Sequence, residues 1–411
     1  MKCRHCQAQL GHTFLDLGTA PPSNAYLKPD QLHAAEVWLP LRLLVCDQCW
    51  LVQTEDFTGR ESLFDEDYAY FSSYSSTWLR HAEQYVIAMQ ERFGLHGGHC
   101  VVEVAANDGY LLQYVKRAGI PCFGIEPTAS TAAAARERGL DIISEFFGQT
   151  LAQSLADQGR QADLIAANNV LAHVPDINDF VSGFATLLQP SGVATFEFPH
   201  LLRMVQGLQF DTAYHEHYSY LSLTAVQHIF AANGLTVFDV EELPTHGGSL
   251  RVFAQRTDTC AHIVQKSVAD LLAMEDQAGM RNLSFYAGFQ EKAEKIKYDV
   301  LSYLIDCKRK GLRVAAYGAA AKGNTLLNFA GIRSDLLGYV VDANPNKQLK
   351  FLPGSRIPIR DQLALMRDLP DIILILPWNL CDEIIRDLNE VCVWEPKFVV
   401  AIPEIHVFDR N

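Results

Sequence analysis

No stretch of this chain approaches the roughly 20 consecutive apolar residues that a membrane-spanning helix needs, and nowhere does it carry the G-x-G-x-x-G fingerprint of a dinucleotide site. Basic residues are also short: 34 Lys and Arg stand against 48 Asp and Glu, a formal net charge of −14. That balance disfavours a general nucleic-acid binder, which needs a basic surface for phosphates. It leaves room for a nucleotide-sized ligand held by one local cation. The opening Met1-Lys2-Cys3 lacks the apolar segment of a secretory signal. Charged residues at 20% and hydrophobic ones at 49% describe a globular chain, not a disordered one. At 411 residues the protein exceeds what one core usually supports, so two or three domains are expected.

Cysteines are few and unevenly used. Cys100, Cys122, Cys260, Cys307, Cys381 and Cys392 are scattered, as in reduced cytosolic proteins, so a cytoplasmic location is expected. The other four form Cys3-x2-Cys6 and Cys46-x2-Cys49. Thiolates of two such knuckles can close a tetrahedral zinc site with no open position, the structural rather than the catalytic pattern. Disulfides are the competing reading, but the cysteines within each pair stand too close for an ordinary bridge. Residues 1–65 hold these knuckles, the turn residues Pro21-Pro22-Ser23-Asn24 and short apolar runs such as 39–45. The stretch is too small to bury a sizeable core, and a zinc ion would stand in for one.

From Cys100 the pattern becomes strand–helix alternation, the mark of an α/β layer structure. The apolar run 100–105 passes through Asn107-Asp108-Gly109 into a helix at 110–118. Strands follow at 122–125, 163–167 and 193–198, with a helix at 178–188 before the last. The runs 235–240 and 249–255, joined by a Gly-containing loop, form a closing hairpin. A helix at 78–93 and an aromatic lead-in, Tyr68-Ala-Tyr70-Phe71-Ser-Ser-Tyr74, precede this block. The lead-in is either a contact between domains or a wall over an active site. Residues 66–258 thus read as one domain, 259–310 as a linker of long helices, and 311–411 as a second α/β domain. In the last, strands at 313–317, 337–341, 372–376 and 398–402 surround a small-residue turn at 318–324 and a helix at 325–329.

Small residues and a sharp turn at Glu103-Val-Ala105-Ala-Asn107-Asp108-Gly109 stand where backbone must pass close to a ligand. Glu126, ending the next strand, can accept from two ribose hydroxyls. An acidic residue there, no dinucleotide fingerprint, and a closing hairpin more typical of methyltransferases than dehydrogenases favour S-adenosylmethionine over NAD. Tyr214-His215-Glu216-His217-Tyr218-Ser219-Tyr220 concentrates titratable groups. As a strand, only His215 and His217 would share a face, and a metal site would want a further ligand. A general base oriented by a carboxylate is the better reading, a hydrogen-bonded structural knot the bland one. His173, in Asn168-Asn-Val-Leu-Ala-His173-Val-Pro175, lies just past a strand end, where α/β sheets gather active sites. Lys322 is either a phosphate contact at a helix start or a solvated loop lysine.

These segments resemble the sugar C-methyltransferases of deoxysugar pathways. The resemblance spans essentially the whole chain and is carried by both knuckles, 103–109, 168–175, Phe210-Asp211-Thr212-Ala213-Tyr214-His215-Glu216-His217, Thr245-His246-Gly247-Gly248-Ser249-Leu250-Arg251, 318–324 and Val341-Asp342-Ala-Asn344-Pro345-Asn346-Lys347-Gln348. It implies an N-terminal zinc-binding domain, a central Rossmann-like class I methyltransferase domain and a C-terminal Rossmann-like domain. The implied reaction adds a methyl carbon, at C3 by preference, to a nucleotide-linked 4-keto-6-deoxyhexose. His217 is then the base, Tyr214 and Glu216 its companions, His173 a further active-site group, and Tyr68 an additional one with Tyr70 and Tyr74 as rivals. S-adenosylmethionine falls to Glu103, Ala105, Asn107, Asp108, Gly109, Glu126 and Asn168, and the nucleotide sugar to His246, Ser249, Lys322, Asn324, Asp342, Asn344 and Lys347. Cys3, Cys6, Cys46 and Cys49 hold structural zinc. Ala105 departs from the family, whose turn usually has glycine there. An RNA methyltransferase would need a basic stripe, a NAD-dependent oxidoreductase would need the missing fingerprint, and a plain sugar-nucleotide binder gives no reason for a base beside a cofactor turn.

Overall fold

The computed structural model describes residues 1–57 and 71–408. Among the described residues no helix is long and apolar enough to cross a membrane. The strands of the described residues assemble into three sheets, of four, seven and six strands. The first pairs His12–Ala20, Leu39–Val45 and Val52–Thr54 as an antiparallel meander. Its fourth strand, Ser219–Tyr220, comes from far along the chain: Val52 pairs with Tyr220 and Gln53 with Ser219.

In the second sheet the spatial order is Leu235–Leu243, Ser249–Arg256, Leu188–Pro199, Ala162–Asn168, Val101–Val104, Cys122–Ile125, Ile142–Ile143. Its inner strands are parallel and mostly buried, because helices cover both faces. The antiparallel closing hairpin expected from sequence is present. Chain order runs outward in opposite directions from Val101–Val104 and Ala162–Asn168, which opens a crevice at their carboxyl ends.

The third sheet orders Ile359–Arg360, Val340–Val341, Val314–Tyr317, Ile372–Ile375, Lys397–Val400 and His406–Phe408, all parallel but the last. Two of these strands, Ile359–Arg360 and His406–Phe408, are short edge pieces that the sequence pattern does not announce. The helix expected at 325–329 is Ala321–Ala330. Ala320 and Ala321 are good helix formers with no proline to stop them, so Lys322 and Asn324 stand in the helix's opening turns rather than in the turn before it.

The helical stretch resolves into Lys266–Gln277, Leu283–Tyr286 and Phe289–Arg309. Apolar positions of the last helix (Phe289, Ala293, Ile296, Val300, Leu304) recur at helical spacing and are buried. They pack on Phe14, Leu15 and Leu17 of the first sheet and on Val314, Leu326 and Leu374 of the third, in one continuous core. Phe14 stacks on Phe289 at 4.7 Å. At about 1.5–3 kcal/mol per large buried side chain, this seam ties the two ends of the chain together.

Glu275 is fully buried in the second block. It accepts from His200 Nε2 at 2.7 Å, the Leu223 and Thr224 amides at 2.7 and 2.8 Å, and the Thr224 hydroxyl at 2.6 Å. Burial pushes its carboxyl up, but His200 and Thr224 outweigh it and hold the group below the usual carboxylate range. The two amides open helix Leu223–Ala232, so the carboxylate also answers that helix's dipole. Glu275→Gln would aim an NH2 group at these donors. It should lower unfolding stability by about 3 kcal/mol, measured as a shift of the urea midpoint; a shift under a third of that would mean Glu275 holds nothing together.

Candidate active site

Both knuckles fold alike. Cys3 N–H donates to the Ala8 carbonyl and Gln7 N–H to that of Cys3; Cys46 N–H donates to Leu51 and Trp50 N–H to Cys46. Gln7 and Trp50 hold the left-handed conformation that closes each turn, at φ 63° and 61°. The four sulfurs lie within 4.8 Å of one another, with Cys3–Cys49 and Cys6–Cys46 each at 3.5 Å. None of the ten cysteines is joined in a disulfide. A zinc ion bonded at about 2.3 Å sets tetrahedral sulfur separations of about 3.8 Å, so the donor set fits it. The Cys46 and Cys49 thiols hold Cys3 well below the ordinary thiol range. Gln53 Nε2 donates to Cys3 Sγ at 3.3 Å, the outer support a metal thiolate needs. Cys307, Cys381 and Cys392 are buried, whereas Cys260 is exposed.

At the carboxyl edge of the second sheet, Ala105 and Asn107 have φ 60° and 48° and Gly109 φ 78°. Ala105 adopts without glycine the conformation its position demands, at a cost of about 1–2 kcal/mol. Gly109 admits no side chain, since a Cβ there would strike Leu140. Glu126 accepts from the Asn107 amide and the Thr128 amide, both at 2.9 Å. Glu103 is fully buried, and burial drives its carboxyl well above the usual range, with Tyr110 and the Leu112 amide opposing. Asn107 Oδ1 accepts from the Ser72 amide at 2.9 Å, and Asp108 binds Ser73 and Arg138. Those two residues therefore fasten the chain at 72–73 over the turn. Asn168, at the end of its strand, is buried with both side-chain amide atoms unpartnered among the described residues. An amide so placed and an αL turn facing it fit a polar cofactor at this edge.

Segment 214–220 is a turn leading into the strand Ser219–Tyr220, and its side chains diverge. His215 Nε2 lies 3.2 Å from the Pro40 carbonyl, in the first block. Glu216 accepts from the backbone and side-chain nitrogens of Asn24 at 3.3 and 3.2 Å. The two imidazoles therefore share no face, and the partner that orients His217 is a carbonyl rather than a carboxylate. His217 Nδ1 is 3.0 Å from the Thr212 carbonyl, which can only accept, so Nδ1 carries the proton. Nε2 is left with a lone pair, 2.8 Å from the Tyr214 hydroxyl. The His173 ring meets His217 edge to face at 4.6 Å. Burial, then the repulsion a charged ring would meet from a charged His173, the Lys322 ammonium or a charged His246, lowers His217 well below its ordinary value. Burial likewise brings His173 and His246 down to about 4. The imidazoles are neutral at physiological pH. Tyr68 and Tyr70 lie outside the described residues; Tyr74 is exposed, against Phe71.

Lys322 faces this same region across the block boundary. Its Nζ is 3.1 Å from Asn379 Oδ1 and 4.5 Å above the Trp378 ring. Burial lowers its ammonium to about 8, Asp211 partly restoring it. Asp211, raised to about 6 by burial, accepts from Trp378 Nε1 at 2.8 Å. Sequence reasoning passed over Asp211, Trp378 and Asn379; only Asp211 sat in a motif. His246 stands at φ 55°, 3.4 Å from Asn169 Nδ2 and beside Trp78, whose ring also covers Tyr110, next to the 103–109 turn. Ser249 Oγ donates to the Thr245 carbonyl at 2.9 Å. Asn324 is buried with its amide unpartnered among the described residues. Asp342 accepts from the Ala319 and Asn344 amides, both at 2.8 Å, with Lys347 at 3.7 Å. Asp342, Asn344 and Lys347 thus brace one another rather than project toward Lys322.

Three family models match in series: a zinc binding domain over residues 3–64, a methyltransferase domain over 78–240, and a C-methyltransferase C-terminal domain over 244–403. The C-methyltransferase NovU of Streptomyces niveus is 32% identical over 410 residues, covering 100% of this chain and 97% of that one. The chain belongs to the C-methyltransferase family. A ubiquinone biosynthesis O-methyltransferase of Bordetella avium (strain 197N) is 29% identical over 110 residues, 26% of this C-methyltransferase and 46% of that protein. The crystal structure of magnesium protoporphyrin IX methyltransferase from Synechocystis PCC 6803 superposes with a TM-score of 0.34 and 16% identity, over 43% of this chain and 79% of that one.

Two outcomes follow. Between pH 8 and pH 6 the ring resonances of His173, His217 and His246 should stay fixed, because a lowered imidazole takes its proton only in more acid solution; an exposed histidine moves near pH 6.5. Movement of His217 in that window would contradict a neutral buried base. Cys46→Ser should lower bound zinc, by elemental assay, and folded yield together; normal stability without metal would exclude a structural ion.

Proposed function

We propose that this C-methyltransferase uses S-adenosylmethionine to methylate a nucleotide-linked 4-keto-6-deoxyhexose at C3, in the cytoplasm, for a branched-chain deoxysugar. One observation carries the reading: a neutral imidazole whose Nδ1–H is held by the Thr212 carbonyl presents a basic Nε2 beside a phenol, a second imidazole and the cofactor edge. The full-length likeness to a C-methyltransferase supports carbon as the acceptor. Bound through 103–109, Glu126 and Asn168, S-adenosylmethionine supplies an electrophilic methyl group.

A keto group at C4 acidifies the hydrogen on C3. His217 Nε2 removes that proton, and the C–H electron pair becomes the C3–C4 double bond of an enolate with its charge on O4. The single Nε2 lone pair cannot accept from Tyr214 and take this proton at once, so the Tyr214 hydroxyl turns its hydrogen to O4 before the transfer. From there it donates to the developing oxyanion, with the neutral His173 beside it, and burial strengthens both interactions. The enolate carbon would take the methyl group as its bond to the sulfonium sulfur breaks and leaves a neutral thioether, O4 would return to a ketone, and the proton on His217 would pass to water. Lys322 and the buried Asn324 would receive the nucleotide diphosphate, with His246 and Ser249 lining the sugar. Zinc at Cys3, Cys6, Cys46 and Cys49 plays no chemical part, since four thiolates leave no open position.

Proton exchange tests the reading. In heavy water with dTDP- or GDP-linked 4-keto-6-deoxyhexoses, deuterium should enter at C3, and methyl should appear there once S-adenosylmethionine is added. His217→Asn should retain cofactor binding and slow both processes by on the order of a hundredfold or more. Deuterium at C5 would move the acceptor carbon, and no exchange with either sugar would place the acceptor outside 4-keto sugars.

A further inference from the structure

Arg4 lies between the cysteines of the first knuckle, yet its side chain is 4% exposed and runs away from the sulfurs. NH1 donates to the Pro175 carbonyl at 3.0 Å, two residues beyond His173. NH2 donates to the Thr54 carbonyl at 2.9 Å and to Asp56 Oδ1 at 2.8 Å. The guanidinium also covers the Tyr218 ring at 5.2 Å, one residue past His217. The segments it gathers are those that carry the two imidazoles. Thr54 Oγ1 donates to the His217 carbonyl at 3.0 Å, and Tyr218 N–H donates to the Ala172 carbonyl at 2.8 Å. Arg4's own amide donates to Gln53 Oε1 at 2.9 Å, while Gln53 Nε2 reaches Cys3 Sγ.

We propose that Arg4 is a positioning residue: it couples the cysteine cluster to the His173–His217 pair and fixes the distance between the rings. The physical reason is geometric. A planar guanidinium offers several donors in a rigid fork, so it joins two backbone segments through its N–H groups while its flat face covers Tyr218 of the third, which a lysine ammonium on a flexible stem does not do. Neither segment has a helix or long strand to hold it; 171–175 is a single 3-10 turn and its tail. A ring displaced by about 1 Å loses on the order of a hundredfold in rate. The kinetic arm of the test rests on His217 as base; the spectroscopic arm does not.

Arg4→Lys should keep zinc content and cofactor affinity, shift the ring resonances of His173 and His217, and lower kcat by at least about tenfold with KM within about twofold. Arg42→Met is the control, because Arg42 pairs with Glu55 at 2.6 Å in the same sheet and touches neither imidazole segment. Asp56→Asn, at a half-exposed site, frees one side of the fork and should move the same resonances in the same direction by less. Unmoved resonances in Arg4→Lys, or equal movement in Arg42→Met, would overturn the proposal; if Arg4→Lys does not fold, unmoved resonances in Asp56→Asn would do so. Loss of turnover on the sugar in the parent protein, with the spectroscopic shifts intact, would count against the substrate and not against Arg4.

Discussion

Two residue pairs, Val52 with Tyr220 and Gln53 with Ser219, attach the candidate site to the cysteine-bearing sheet, and much of the rest follows from that attachment. The segment before it is irregular, and fixing each of its residues costs about 1–2 kcal/mol of backbone entropy. No helix or ladder of its own repays this. The compensation comes from several directions at once: Asn24 holds Glu216, Pro40 faces His215, Thr54 holds the His217 carbonyl, and Thr325 Oγ1 donates to the Ala213 carbonyl at 2.8 Å. First and third blocks therefore both grip the segment carrying His217. The cysteine cluster joins this grip through Gln53, whose side chain reaches Cys3 and whose backbone pairs with Ser219.

Burial sets the protonation states. Three imidazoles sit where charging them is unfavourable, so they stay neutral. Lys322 and Asp211 show the same force acting on opposite charges, with the ammonium brought down and the carboxyl pushed up. Glu197 is the contrast. Burial pushes it up, but His81 at 2.7 Å and Arg251 at 2.6 Å outweigh it and hold the carboxylate charged. That pair sits in the closing hairpin sheet and anchors Ser249–Arg256, the strand that follows the His246 loop. Paired charges thus brace the frame while unpaired groups are left for the ligand side, as at Asn168 and Asn324.

By itself the sequence determined the class of architecture: two α/β blocks, a closing hairpin and two knuckles, because strand–helix alternation and Cys-x2-Cys spacing are local patterns. It also marked 103–109 and 210–217 as the chemistry-bearing segments. Ala105 was legible as a departure, but only the backbone shows that its position is left-handed, where any Cβ is strained. Tertiary structure alone decided the rest. Which imidazole nitrogen is basic depends on the Thr212 carbonyl, a backbone group that every residue possesses and no sequence advertises. That Ser219–Tyr220 belongs to the first sheet, that Trp378 reaches Asp211, and that Arg4 touches Pro175 are contacts across 166 to 171 positions of chain or more. Such contacts arise from packing three blocks together, and packing energy is a property of the assembled surfaces rather than of any local run of residues.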